Sequence, residues 1–371
     1  MNYYDIADDI QKHPDAWCYI TVGGRFRGKT YSTLKNCLDH QRDFIFIKRT
    51  MDDVDMMSAL TGKVKSKVAD LGADDLNPFK AINRDCGTDI HTFGIRTGIG
   101  GFWHTSRDEE GNLIPVGSPL GMTFALNGVT KYKGMELASS GQEQWIVFDE
   151  FIPNIYDRVN RKEGIQLLDF YQTVSRDRPL RGLQEVKLIC LANATSIANP
   201  VFDALNLVDQ VAEMQATMLK EGEAEIYIED RGIYIHQIPD DPEAMGILKN
   251  TGIYRAMKDT PWGRMSYGNE FAYNDFSNVS KKALKGYRCV FGYTYRNKGV
   301  YIYYNNGIYY VTDSKGNPDR IYDLSRENDQ KAMYYDWVIT LRDACISDSV
   351  RFKTYSMYDL IINFKKIFRI T

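Results

Sequence analysis

Nowhere does this 371-residue chain run apolar for the roughly 18 residues that a bilayer-spanning helix needs. Its first residues, MNYYDIADDIQKH, are acidic where a secretory leader is basic and then apolar, which predicts a protein of the cytoplasm or one delivered from it, with no membrane partner. The six cysteines stand far apart, without a C-x-x-C pair, so reduced thiols packed in cores are expected rather than disulfides or a zinc site. Only five histidines occur and none forms an H-E-x-x-H cluster, which argues against a metal held by protein ligands alone. Internal repeats and low-complexity tracts are also missing. What remains, 43% hydrophobic and 26% charged residues, is enough to build real cores, and the length suggests two of them.

Charge is unevenly spread. Residues 271–371 hold 16 Lys and Arg against 10 Asp and Glu, a net of +6, so residues 1–270 carry −9. A basic C-terminal module on an acidic body suits an anionic partner; mild asymmetry between solvated faces is the plain alternative. Texture divides the chain further, into an α/β region over 1–205, a charged, turn-rich linker subdomain over 206–270, and a small α+β domain over 271–371. In the first region WCYITV, DFIFIKRT, QWIVFDEF and EVKLICLAN read as near-continuous apolar strands separated by helices, which predicts a parallel sheet covered on both faces. The stretch from about 93 to 127 reads as hairpins at one edge. In the last region three aromatic strands are joined by tight turns at Asn297–Gly299 and Asn305–Gly307.

The strongest signal is TVGGRFRGKTYS. Gly23, Gly24, Arg25, Phe26, Arg27, Gly28, Lys29 and Thr30 form a G-x-x-x-x-G-K-T loop between an apolar strand and a helix. Such a match arises by chance in about one chain in a hundred of this length. Glycines let successive N–H groups point inward as an anion nest at the positive end of a helix; Lys29 would reach the phosphates and Thr30 a Mg²⁺ ion. QWIVFDEF then places Asp149 at the edge of the sheet as a second metal ligand, with Glu150 beside it as a base for water. ATP hydrolysis assisted by Mg²⁺ is therefore expected. Farther on, TVSRDRPLRG offers Arg176, Arg178 and Arg181, as a solvated helix end or as the source of a guanidinium lent to a neighbouring subunit. Asn193 ends a strand, as a γ-phosphate sensor or a simple cap. Lys63, Lys65 and Lys67 alternate in GKVKSK, as a phosphate-tracking edge or a solvated one.

In this order, G-x-x-x-x-G-K-T, VFDEF, TVSRDR and LANATSIANPVF, the chain resembles the DNA encapsidation ATPases of small protein-primed tailed phages (the Salasvirus type), relatives of the terminases and of the FtsK/HerA translocases. The resemblance runs closest from about residue 17 to 205. It implies a P-loop ATPase of the ASCE class followed by a vestigial RNase H-like nuclease domain. It further implies a homo-oligomeric ring, a pentamer, that drives double-stranded viral DNA into a prohead through its portal, docked there in the host cytoplasm, with structural RNA as a further candidate partner. Position by position, Lys29 and Thr30 take the Walker A role, Asp149 and Glu150 Walker B, Arg176 the trans-acting finger, and Lys133 a second basic residue crossing the interface. The last domain agrees on its own chemistry: YRCVFGYTY carries no Asp or Glu, and Asp313 stands alone, so two-metal cleavage is not expected. Lys281, Lys282, Lys285, Arg288, Arg296 and Lys298 would suit phosphate backbones instead. Other functions compatible with the same residues are an FtsK/HerA-like translocase or helicase, and a non-catalytic scaffold whose loop only senses nucleotide.

Overall fold

The computed structural model describes residues 3–25, 27–58, 76–132, 141, 143–154, 160, 162–271, 278–295 and 298–357. Phe26, Lys63, Lys65, Lys67, Lys133 and Arg296 lie outside them. The chain divides into two compact units, Met1–Leu205 with Glu213–Tyr273, and Asn206–Ala212 with Asn274–Thr371.

The first unit is mixed α/β. Its strands are β1 (Cys18–Val22), β2 (Asp43–Lys48), β3 (Ile90–Arg96), β4 (Ile99–Arg107), β5 (Leu113–Ala125), β6 (Gln144–Asp149), β7 (Lys187–Ala192), β8 (Ala224–Ile228) and β9 (Ile233–Gln237). They form one sheet in the order β3-β4-β5-β2-β6-β7-β1-β9-β8. From β5 to β9 every neighbouring pair is parallel; β3–β4, β4–β5 and β8–β9 are antiparallel. Burial explains the apolar runs: all five residues of β1 are buried, as are the first five of β6. Strands covered on both faces need no polar alternation. The helix Lys29–Asp39 packs inward through Leu34 and Cys37.

The hairpins expected at 93–127 lie at one edge of the sheet as β3, β4 and β5, with β5 pairing parallel to β2. One expectation changes. The segment read as a linker subdomain supplies β8 and β9, and β9 pairs directly with β1 in register Cys18↔Ile233 to Val22↔Gln237. Polar residues disguised that strand. His236 is buried between Asp9 (Nδ1 to Oδ1, 2.9 Å) and Glu223 (Nε2 to Oε1, 2.9 Å). Gln237 Nε2 donates to the Asn269 carbonyl at 2.7 Å.

In the second unit β10 (Arg288–Tyr295), β11 (Lys298–Asn305), β12 (Ile308–Thr312), β13 (Ile321–Asp323) and β14 (Val350–Phe352) form a sheet ordered β13-β10-β11-β12-β14. The first three run antiparallel, and β13 and β14 add parallel to β10 and β12. Asn306 and Gly307, both at positive φ (45° and 84°), make the two-residue turn between β11 and β12. Tyr293, Tyr310 and Tyr322 are buried in this unit's packing rather than displayed for stacking. Among the described residues no helix is long and apolar enough to cross a membrane.

Candidate functional site

Parallel strands end at a common edge, and the predicted loop leaves β1 at that edge. Gly23 N donates to the Ala192 carbonyl at 3.1 Å, tying the loop to the end of β7. A Cβ on Gly23 would stand 2.4 Å from Ile238 Cγ1, so that close approach requires glycine. Gly28 adopts φ 74°, the left-handed turn that starts the helix Lys29–Asp39. No side chain caps that helix start, leaving its first N–H groups for an anion.

Around this turn lies a cavity of about 290 Å³ lined by Arg25, Arg27, Gly28, Lys29, Thr30, Tyr31, Asp149, Glu150, Ala192 and Asn193. Every described candidate from the loop, the β6 end and the β7 end contributes except Gly23 and Gly24. Lys29 Nζ donates to the carbonyls of Gly23 and Gly24, each at 2.8 Å, and to Asn193 Oδ1 at 3.3 Å. Burial lowers its pKa to about 8, with Arg27 and Arg25 pushing the same way against the pull of Asp149 and Asp240. Such a lysine, among two arginines and uncapped amides, is suited to a polyanion. Thr30 Oγ1 donates to Asp149 Oδ1 at 2.9 Å, so a hydroxyl and a carboxylate meet where a hard cation needs oxygen. No group of three or more His, Cys, Asp or Glu that could hold a metal occurs among the described residues. Mg²⁺ fits such a site when phosphate oxygens and water complete its octahedral shell.

Glu150 lies one residue past β6 at φ 58°, exposed and facing the cavity. The two loop arginines differ. Arg25 is exposed, whereas Arg27, which as a loop arginine could have faced solvent, is buried, with Nη1 3.5 Å from Asp241 Oδ2. The arginine cluster also separates. Arg178 is fully buried and donates to the carbonyls of Gln184 (3.2 Å) and Gly141 (2.9 Å) and to Gln144 Oε1 (3.3 Å). Arg176 is exposed outside the cavity lining, at the end of the helix Glu163–Ser175, with φ 23° and ψ −107°.

Sequence reasoning missed three contributors. Lys48, ending β2, places Nζ 3.2 Å from Asp149 Oδ2. Burial works against its charge, but Asp149 and Glu150 outweigh it and hold its pKa above the usual lysine value. Arg49 binds Glu163 (Nε to Oε2, 2.9 Å) and donates through Nη2 to the carbonyls of Glu150 (2.8 Å) and Phe151 (3.2 Å). Asp240 flanks the loop from the end of β9. Two cations closing the apolar run DFIFIKRT were the available signal for the first two.

Comparison with known proteins gives three findings. The sequence model of the podovirus DNA encapsidation protein (Gp16) family matches residues 131–342, beginning beyond the glycine loop and running into the second unit. DNA packaging proteins of Bacillus phages PZA and phi29 are each 30% identical over 189 residues, 49% of this chain and 51% of theirs. That of Bacillus phage B103 is 28% identical over 195 residues. The chain thus spans about half the length of the curated relatives it matches. Among solved structures, a chain of the bacteriophage Phi-29 viral genome packaging motor assembly superposes with a TM-score of 0.61 over all of both chains at 19% identity. The Phi-28 gp11 DNA packaging motor gives 0.58 at 15%, over 100% of this chain and 99% of that one. At these identities the likeness is one of fold.

Proposed function

The chain belongs to the podovirus DNA encapsidation protein family, and from that premise we propose that it is a P-loop ATPase of the ASCE class, related to the terminases and FtsK/HerA translocases, that drives viral double-stranded DNA into a prohead. The observation that carries the ATPase part is the meeting of Thr30 and Asp149 at 2.9 Å beside the Lys29 ammonium. Elements 119 residues apart in sequence converge there on one hydroxyl–carboxylate pair.

In this reading the loop amides, Lys29 and Arg25 bind the triphosphate of ATP, and Thr30 and Asp149 hold Mg²⁺. Bound there, Mg²⁺ supplies neutralisation of charge on the phosphate oxygens. Glu150, exposed on the cavity rim, orients a water and accepts its proton. Asn193, already within reach of Lys29, senses phosphate occupancy. Arg176 makes no hydrogen bond or ion pair through its side chain to another described residue, which leaves it available to the active site of the next subunit in a ring, a pentamer by family resemblance. Lys133 keeps its proposed place at the same interface, outside the described residues. The second unit is the RNase H-like domain. Its β10 carries no carboxylate, and Asp313 at the end of β12 is engaged by Lys353. Exposed Lys282, Lys285, Arg288 and Lys298 suit duplex DNA or structural RNA without cleavage, during docking at the portal in the host cytoplasm.

The test is phosphate release from Mg·ATP with and without duplex DNA. Wild type should hydrolyse ATP and respond to DNA, Glu150→Gln should bind ATP yet turn it over at least ~100-fold more slowly, and Lys29→Ala should lose binding. Equal turnover in Glu150→Gln and wild type would remove the assignment.

A further inference from the structure

We propose that the Asp240 carboxylate, set against the loop backbone at Gly24 behind the cavity lining, is a counter-charge to the phosphate site, competing with nucleotide phosphates for the loop's cations and setting how readily the spent diphosphate leaves. The proposal rests on the nucleotide reading above and names a residue that reading does not use.

Its basis is the path of the chain beyond β9. Ile238 N donates to the Val22 carbonyl at 2.8 Å, so the segment 238–241 runs alongside the loop as it leaves β1. Ile238 packs on Gly23, and a Cβ on Gly24 would stand 3.0 Å from Asp240 Oδ1. The carboxylate therefore lies against the loop backbone itself. Its neighbour Asp241 approaches Arg27. The charged groups facing Asp240 are Arg27 and Lys29 of the loop and Asp241 of its own segment, with Arg25 and Asp149 farther round the cavity. From the helix Pro261–Gly268 the nearest contact to the same Gly24 position is the uncharged Ser266 carbonyl, at 3.6 Å.

A carboxylate close behind an anion site acts in two directions. Without ligand it stabilises the clustered cations; with ligand it repels the phosphates that those cations attract. Burial raises its pKa to about 6, against the opposing pull of Arg27 and Lys29. Acidification through about 6 neutralises it. A bound anion favours the protonated form further, so nucleotide affinity rises as pH falls.

Calorimetry of Mg·ADP and Mg·ATP binding to the full chain between about pH 5.5 and 7.5, with wild type and Asp240→Asn, tests this. At the upper limit the variant should bind both about fivefold tighter, and the ratio should shrink toward one at the lower limit. Titration of the nucleotide's own phosphates is common to both proteins and cancels in the ratio. Asp240→Ser removes the charge without adding an amide and should behave alike if the Asn variant folds poorly. A ratio of one throughout, or a ratio independent of pH, overturns the proposal while leaving the nucleotide site standing. Failure of wild type to bind either nucleotide overturns the nucleotide reading and this proposal together.

Discussion

Replacing Arg49 by methionine should destabilise the first unit by about 3 kcal/mol, toward the lower end of what removing one partner of a buried ion pair costs. The partner left behind is Glu163, whose side chain is 3% exposed, against 17% for Arg49. The guanidinium also serves two carbonyls, those of Glu150 and Phe151, so at least three hydrogen bonds are lost while methionine keeps much of the stem's packing. Partial access of Arg49 to water is what keeps the figure low in the range. For a unit of this size each kcal/mol moves the melting temperature by about 2–4 °C, giving about 6–12 °C in all. With two units a single transition is not assumed, and the probe can be chosen to follow the first. Trp17, Trp103, Trp145 and Trp262 lie in the first unit and Trp337 in the second, so tryptophan fluorescence reports mainly the first. The companion variant Arg49→Met/Glu163→Leu removes both charges, and should recover at least ~2 kcal/mol of the loss as a favourable coupling energy. A single variant that costs less than ~1 kcal/mol, or a double variant as unstable as the sum of its parents, would refute the reasoning.

Three further outcomes are expected. Arg176→Ala and Glu150→Gln should each fold, bind ATP and hydrolyse it poorly, yet regain activity when mixed at concentrations that support rings; mixtures as inactive as either parent would show that Arg176 does not act in trans. The full chain should leave plasmid DNA intact in Mg²⁺ or Mn²⁺ while binding it with affinity that falls steeply with salt, and nicking abolished by Asp313→Ala would contradict this. Burial disfavours the charged imidazole of His236, but hydrogen bonding and charge from Asp9 and then Glu223 overcome it and raise its pKa above 6.5. The stabilisation from this group is therefore full below that value and lost as pH rises through the raised one. Melting temperatures of wild type and His236→Gln should converge over that interval, and parallel curves would exclude the linkage.

The parts of this fold that a reader of the sequence can find are those whose partners are close along the chain or whose burial is uniform. β1, β2, β6 and β7 are legible because strands covered on both faces must be apolar throughout, and the glycine loop because strand, turn and helix are consecutive. β9 is not legible, since IYIHQ contains two polar residues that look solvated. Their burial is licensed by Asp9, 227 positions away, and by Asn269, 32 positions away. With those partners unseen, the segment reads as a linker.

The site divides along the same line. Lys29 and Thr30 follow from local pattern, and Asp149 from an apolar strand ending in a carboxylate. The burial of Arg27 was not visible in the sequence, because its carboxylate partner Asp241 lies on a segment beyond the far strand of the parallel set. Lys48 and Arg49 escaped for a related reason. β2 and β6 pair in parallel, with Ile47 opposite Phe148, so the residue after each lands at the same edge: Lys48 beside Asp149, Arg49 beneath Glu150. Once strand order is known, that placement follows from register alone. A parallel sheet thus gathers its charged residues at one edge while scattering them through the sequence, and pairing β2 with β6 is the step at which scattered cations become neighbours of the site.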